Sequence, residues 1–194
     1  ASIVLMLYNY QLLRLAGENG VVAYGVIAYV NFIFLSVFIG FAVGSNPLVS
    51  YQYGAKNSAE LRNLFKMNYT FIILTSIFLT LGAEISARIL VNIFVGYDEE
   101  LLNMTTQAFR IYAVSFLLAG FNIYSSAFFT ALNNGLVSAI IAFVRTLVCA
   151  CGAVMIMPLF FGVTGIWTAI IVAEVFAMIV SVYYLKTLKR KYKY

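Results

Sequence analysis

Asn46-Pro47-Leu48-Val49-Ser50-Tyr51-Gln52-Tyr53-Gly54-Ala55-Lys56-Asn57 closes an uncharged, mostly apolar run of 25 residues, Val21 to Ser45. A helix rises ~1.5 Å per residue and needs ~20 residues to cross a bilayer, so this run can span one. Asn46-Pro47 is expected to bend or end the span and to serve as a hinge or a terminator. Proline lacks an amide hydrogen and disfavours helix at the residue before it. Past Gln52 and Gly54 the chain turns polar and basic as far as Lys66.

The rest of the composition agrees with a membrane setting. Hydrophobic residues make up 63% of the 194 and charged residues 10%, against roughly 45–50% and 25% in soluble domains. The net charge of +5 does not point to nucleic acid. Eight of the 12 bases sit in two short segments, Lys56, Arg62 and Lys66 in one and Lys186, Lys189, Arg190, Lys191 and Lys193 in the other. A nucleic-acid face would spread them along one surface. There is no histidine, which excludes His-based catalysis and His-ligated metal. Cys149 and Cys151 lie two apart in an apolar helix and cannot bridge each other. No nucleotide loop, metal-ligand cluster or nucleophile–base set occurs, so the chain does not read as an enzyme.

The pattern predicts an all-α polytopic membrane protein, a six-helix transmembrane bundle whose first helix is partial. The spans are expected at about 1–14 (partial), 21–48, 67–83, 104–131, 136–157 and 163–185, with a basic tail at 186–194. Gly17-Glu18-Asn19-Gly20 and Asn133-Asn134-Gly135 read as turns, and Pro158 to Gly162 as a short hairpin. Glu84, Arg88 and Asn92 share a helical face beside Ile85, Ile89 and Ile93. They are expected to form an amphipathic interfacial turn before an acidic loop at Asp98-Glu99-Glu100, or else a polar extension of the third span. Ala1 to Leu13 is too short to span alone and reads as the end of a longer helix, which makes the chain a fragment of a larger protein. Alternation of the spans puts both basic segments on one side. The positive-inside rule makes that side, and the C-terminus, cytoplasmic.

The segment Asn46 to Lys56 resembles the loop after the second helix of each half of the MATE (multidrug and toxic compound extrusion) transporters, with Asn46 where that family usually has glutamine. Phe109-Arg110-Ile111-Tyr112, Gly120-Phe121-Asn122-Ile123-Tyr124-Ser125-Ser126 and Phe129-Thr130-Ala131-Leu132 are similar to the tenth helix of the branch that includes the MepA-like pumps. Arg145, Pro158, Gly162, Gly165, Ile166, Trp167 and Glu174 resemble its last two helices. The resemblance implies one lobe, the C-terminal half, of a twelve-helix transporter in the plasma (inner) membrane. Its partners would be the lipid bilayer and an N-terminal lobe missing here, with small organic cations as substrates. The implied activity is efflux coupled to H+ or Na+ by alternating access, with no cofactor. A lipid-linked-sugar flippase of the same superfamily, or a non-transporting half-size membrane module, are the alternatives.

Ionisable groups deep in a membrane cost several kcal/mol unless paired, so Arg145 and Glu174 are the leading candidates for coupling or substrate contact. Arg145 lies 13 residues before Pro158 and Glu174 lies 13 after Phe161. Each is therefore ~20 Å from the hairpin at ~1.5 Å per residue, and a direct or water-bridged pair is expected. It would act as a clamp between the last two helices or as a protonation switch. Arg110, near the end of its span, reads as an interfacial anchor. Asn31, Asn122, Tyr124, Ser125 and Ser126 are mid-span polar groups. Asn122 and Ser126, four apart on one face, would line a central cavity or bond a neighbouring helix. Gly40 and Gly44 form a small-residue packing spacing. The five bases of the tail suit anionic lipid or the fixing of topology.

Overall fold

The computed structural model describes residues 2–194, so Ala1, where the partial first span begins, lies outside it. The described chain is helical almost throughout: α1 (Ser2–Gly54), α2 (Ser58–Val95), α3 (Glu99–Ala113), α4 (Phe116–Ala131), α5 (Gly135–Phe143), a π-helical segment (Val144–Cys149) and α6 (Ala150–Tyr192). Two of these stretches are hairpins. α1 turns back at Gly17 (φ 66°, ψ −159°) and α6 at Gly162 (φ 56°, ψ −136°). Side chains avoid that backbone region and glycine does not, so a single residue closes each hairpin. With α5 continuing through the π segment into α6, and α3 and α4 forming one bent rod, six helical arms result.

Several helices run past the expected spans. The 21–48 span does not end at Asn46-Pro47, because the helix runs on to Gly54. Pro47 donates no backbone hydrogen bond, and side chains on either side of it fasten this stretch to α4. Asn46, with its amide nitrogen facing the carbonyls, donates to Ala42 O at 3.0 Å and Ala127 O at 3.2 Å. One turn on, Ser50 Oγ donates to Ala131 O at 2.9 Å. The 67–83 span belongs to an unbroken helix of 38 residues. At ~1.5 Å per residue that is ~57 Å, longer than a ~30 Å hydrocarbon core, and hydropathy picks out only the apolar middle. The stretch after residue 83 is therefore the helical extension. Ala83, Ala87, Val91 and Val95 face the core, and Ile85, Ile89 and Ile93 are exposed. The acidic loop is a helix start. Asp98 caps α3, accepting from the Glu100 and Leu101 amides at 2.9 and 3.1 Å, and Glu99 and Glu100 sit where the helix dipole favours negative charge.

The 104–131 span is broken at Val114–Ser115, where α3 and α4 meet at 47°. The 136–157 and 163–185 spans also run further than expected, through Phe161 and as far as Tyr192. The tail is accordingly not a loose end. Lys193 adopts φ 59° and turns Tyr194 back, where its hydroxyl donates to Leu185 O at 2.8 Å. Tyr194 stacks on Phe65 (centroids 4.8 Å apart) and Tyr192 tilts against Tyr53 (5.6 Å). These contacts bring the two basic segments to the same end of the bundle.

α4 is the central element and packs against α1, α2, α5 and α6. Phe116, Tyr124, Phe128 and Phe129 on it have no exposed surface. Gly120 marks the closest approach: a methyl group there would meet the Phe38 ring and Ser76 Oγ at 2.6 Å. At Gly82 nothing lies within 4 Å. Gly40 and Gly44 are likewise open, so within this lobe they pack against nothing. Gly120→Ala should therefore destabilise the protein by ~1–3 kcal/mol, whereas Gly82→Ala should stay within ~0.5 kcal/mol of wild type. Thermal unfolding in detergent checks this, and equal melting of the two variants would contradict the packing.

Candidate functional site: a buried ion pair and its amide

Arg145 and Glu174 form a direct pair. Arg145 Nη2 lies 2.7 Å from Glu174 Oε1, and Arg145 Nε lies 2.9 and 3.0 Å from Oε1 and Oε2. A guanidinium presents donors in a planar fork that suits a carboxylate, and lysine could not reproduce the arrangement. Burial makes the pairing obligatory: the Arg145 side chain is 16% exposed and that of Glu174 4%. Removing one partner would leave a buried charge uncompensated, at a cost of ~3–5 kcal/mol.

The backbone beneath Arg145 is unusual. Val144–Cys149 is π-helical, a rare geometry that recurs at functional positions and widens the turn by one residue. It sits in the middle of the arm, as the chain-length argument from the Gly162 hairpin requires.

Asn122 completes the site. Its Nδ2 donates to Glu174 Oε2 at 2.7 Å and to the Glu174 main-chain carbonyl at 2.9 Å. Ser181 Oγ donates to Asn122 Oδ1 at 3.0 Å, which fixes the amide with its nitrogen towards the carboxylate. The carboxylate thus receives donors from the π segment and from α4, and the amide is oriented by Ser181, two turns along the arm that carries Glu174. Asn122 and Ser181 have no exposed surface.

The other expected residues are elsewhere. Asn122 and Ser126 each bond a neighbouring helix: Asn122 is buried in the network above, while Ser126 Oγ donates to Ser138 O at 3.0 Å, bonding α4 to α5. Tyr124 is fully buried and accepts from Asn68 Nδ2 at 2.6 Å, and beside it Tyr69 and Ser125 are bonded at 3.0 Å. Those two bonds join α4 to α2. Asn31 is half-buried and takes no part in either network. Arg110 Nε lies 3.9 Å from Glu84, both partly exposed, so the anchor is loosely paired. Asn46 and Pro47 belong to the α1–α4 junction described above. The Gln52 carbonyl accepts from the Asn57 amide at 3.0 Å as the helix closes at Gly54. The sequence reading missed Ser181, although it falls seven residues after Glu174 and hence on the same helical face. It also missed Asn68, whose partner comes from a distant helix and leaves no local signal.

The family model MatE matches residues 1–155. The chain is a member of the MatE family. The match contains Asn122 and Arg145 and stops short of Glu174 and Ser181. A comparison with curated proteins finds no match. Among solved structures, an outward-facing multidrug resistance MATE family transporter of the MOP superfamily is similar with a TM-score of 0.91 and 21% identity, covering 99% of this chain and 43% of that one. An inward-facing one gives 0.91 and 22%, covering 99% and 44%. A MOP superfamily transporter from Pyrococcus furiosus, described by the reverse polarity of its binding pocket, gives 0.90 and 21%, covering 100% and 44%. This MatE chain therefore has the fold of a transporter lobe and spans less than half the length of those proteins.

Asn122→Ala removes two bonds to Glu174 and should cost ~1–3 kcal/mol. Ser126→Ala removes only the link to Ser138 and should cost ~1 kcal/mol or less. Unfolding of the two variants side by side decides it, and an equal loss would mean that Asn122 does not support the carboxylate.

Proposed function

We propose that this MatE chain is the C-terminal lobe of a multidrug efflux antiporter that couples export of small organic cations to entry of protons or sodium. The observation that carries the reading is the equal fit of its fold to outward-facing and inward-facing relatives, with a TM-score of 0.91 in both cases. A lobe that keeps one shape in both states is suited to rigid-body rocking, the mechanical requirement of alternating access. The chain spans 43–44% of those relatives, so the proposed partner is the N-terminal lobe of the same protein, with the substrate cavity between the two. In this reading the lobe lies in the plasma (inner) membrane with that end and the C-terminus in the cytoplasm, a side that the bases gathered there support through the positive-inside rule.

In this reading Arg145–Glu174 clamps the two last arms together. Neutralisation of Glu174 by the coupling ion releases Arg145 and loosens the clamp. Aromatic residues, 16% of the chain, supply faces for flat apolar cations through stacking and cation–π contact. A flippase for lipid-linked sugars needs unpaired bases in the cavity within its membrane spans for its anionic substrate. Here Arg145 is committed to Glu174 and Arg110 faces Glu84, which favours the organic-cation reading. Transport is the activity proposed, and the chemistry of an enzyme has no part in it.

The test is efflux of a fluorescent organic cation from proteoliposomes carrying the whole transporter. An imposed proton or sodium gradient should drive export, and Glu174→Gln should slow it by ~10-fold or more while leaving dye binding intact. Export that ignores both gradients would overturn the antiporter reading. Driven export unchanged in Glu174→Gln would leave the pair as a clamp alone.

A further inference from the structure

At the basic end of the bundle the first turns of α2 and the last turns of α6 enclose a groove of about 680 Å³, lined by Ser58, Arg62, Lys66, Lys189, Arg190 and Lys193 with Phe65 and Tyr194 as its floor. We propose that this groove is a binding site for the phosphate headgroup of an anionic phospholipid. Five cations from two distant parts of the chain converge on it. Among the described residues none of the five is ion-paired, since the two ion pairs use Arg110 and Arg145. The only acidic side chain in either basic segment is Glu60. It does not line the groove, and its Oε1 accepts from Asn63 Nδ2 at 3.4 Å. The first turn of α2, a helix of 38 residues beginning at Ser58, adds the positive end of its dipole to the same space.

The cations are held in place. The chain leaves the helix at Lys193 (φ 59°) and Tyr194 folds back, stacked on Phe65 and edge-on to Phe128 with centroids 4.8 and 5.0 Å apart. Its hydroxyl donates to Leu185 O, and burial pushes the phenol well above its ordinary range, which keeps that donor protonated. This closure fixes the end of α6 against the start of α2. Lys189, Arg190 and Lys193 therefore face Arg62 and Lys66 across a gap that a tail free in solution would not maintain.

Depth argues for a lipid over a soluble anion. Arg62 and Lys66 directly precede the apolar middle of α2, and Lys189 to Lys193 directly follow the apolar arm of α6. Both groups therefore emerge where headgroups lie. Beside the main groove a smaller one of about 190 Å³ adds Lys56 and Lys191 and shares Ser58 and Lys193 with it, giving room for a second phosphate oxygen cluster or the glycerol of the headgroup. Arginine forks and a helix N-terminus both suit a phosphodiester.

The experiment is native mass spectrometry of the whole transporter in detergent, titrated with dioctanoyl phosphatidylglycerol and, separately, dioctanoyl phosphatidylcholine. The site predicts retention of the glycerol lipid and little of the choline lipid. The double variant Arg62→Gln with Lys189→Gln should weaken retention by ~25-fold, at about fivefold per base, while Lys186→Gln, exposed and outside the groove, should leave it unchanged. If the double variant does not fold, Lys66→Gln with Arg190→Gln serves the same purpose. Equal retention of the two lipids, or an equal loss in Lys186→Gln, would reduce the groove to diffuse charge and overturn the proposal. Displacement of the lipid by equimolar inorganic phosphate would overturn it in favour of a free-anion site.

Discussion

Arg145 and Glu174 meet largely buried inside the bundle, and the polar bonds that hold its arms together branch from that meeting. Each charge is tolerated only while the other is within hydrogen-bond reach. The two arms joined at Gly162 are therefore held at one relative depth, with the π turn at Val144–Cys149 carrying the guanidinium. Asn122 extends the constraint to α4, and Ser181 returns it to the arm that carries Glu174. α4 in turn is fastened to α1 by Asn46 and Ser50, and to α2 by Asn68 and Tyr69. A polar scaffold thus runs through an apolar protein, where lipid and helix faces are alike in hydrophobicity and side-chain hydrogen bonds and close packing carry helix association.

Side-chain bonds tie α4 to the second arm of α1, to α2, to α5 and to the second arm of α6. The segment Asn46 to Lys56 illustrates the point. Its asparagine and serine join helices within the lobe on either side of its proline. The ion pair lies between the two arms of one hairpin, joined at Gly162.

Much of this was legible beforehand, for physical reasons that differ from residue to residue. The depth of Arg145 and Glu174 followed from counting residues along two arms from a common turn, which works because helical rise is constant. The sharp turns at Gly17 and Gly162 followed from glycine and its neighbours. The ends of the helices did not follow. Hydropathy marks where a helix is surrounded by lipid, and α2 and α6 continue well past that region into parts held by alanine, valine and tyrosine contacts. The break at Val114–Ser115 carries no proline or glycine to announce it. Asn122 was singled out as a polar residue in an apolar helix, but its partner depended on which helix lay opposite. Tyr124 was placed by the same criterion and is bonded inside the core.

The measurement that bears most directly on the central claim is a double-mutant cycle on the whole transporter, with Arg145→Met, Glu174→Gln and the two combined, followed by unfolding free energy. A pair whose members depend on each other predicts that each single change is costly and that the combination recovers at least ~2 kcal/mol of their sum. Additivity within ~0.5 kcal/mol would mean that the two charges do not sustain each other, and the scaffold built on them would have to be abandoned.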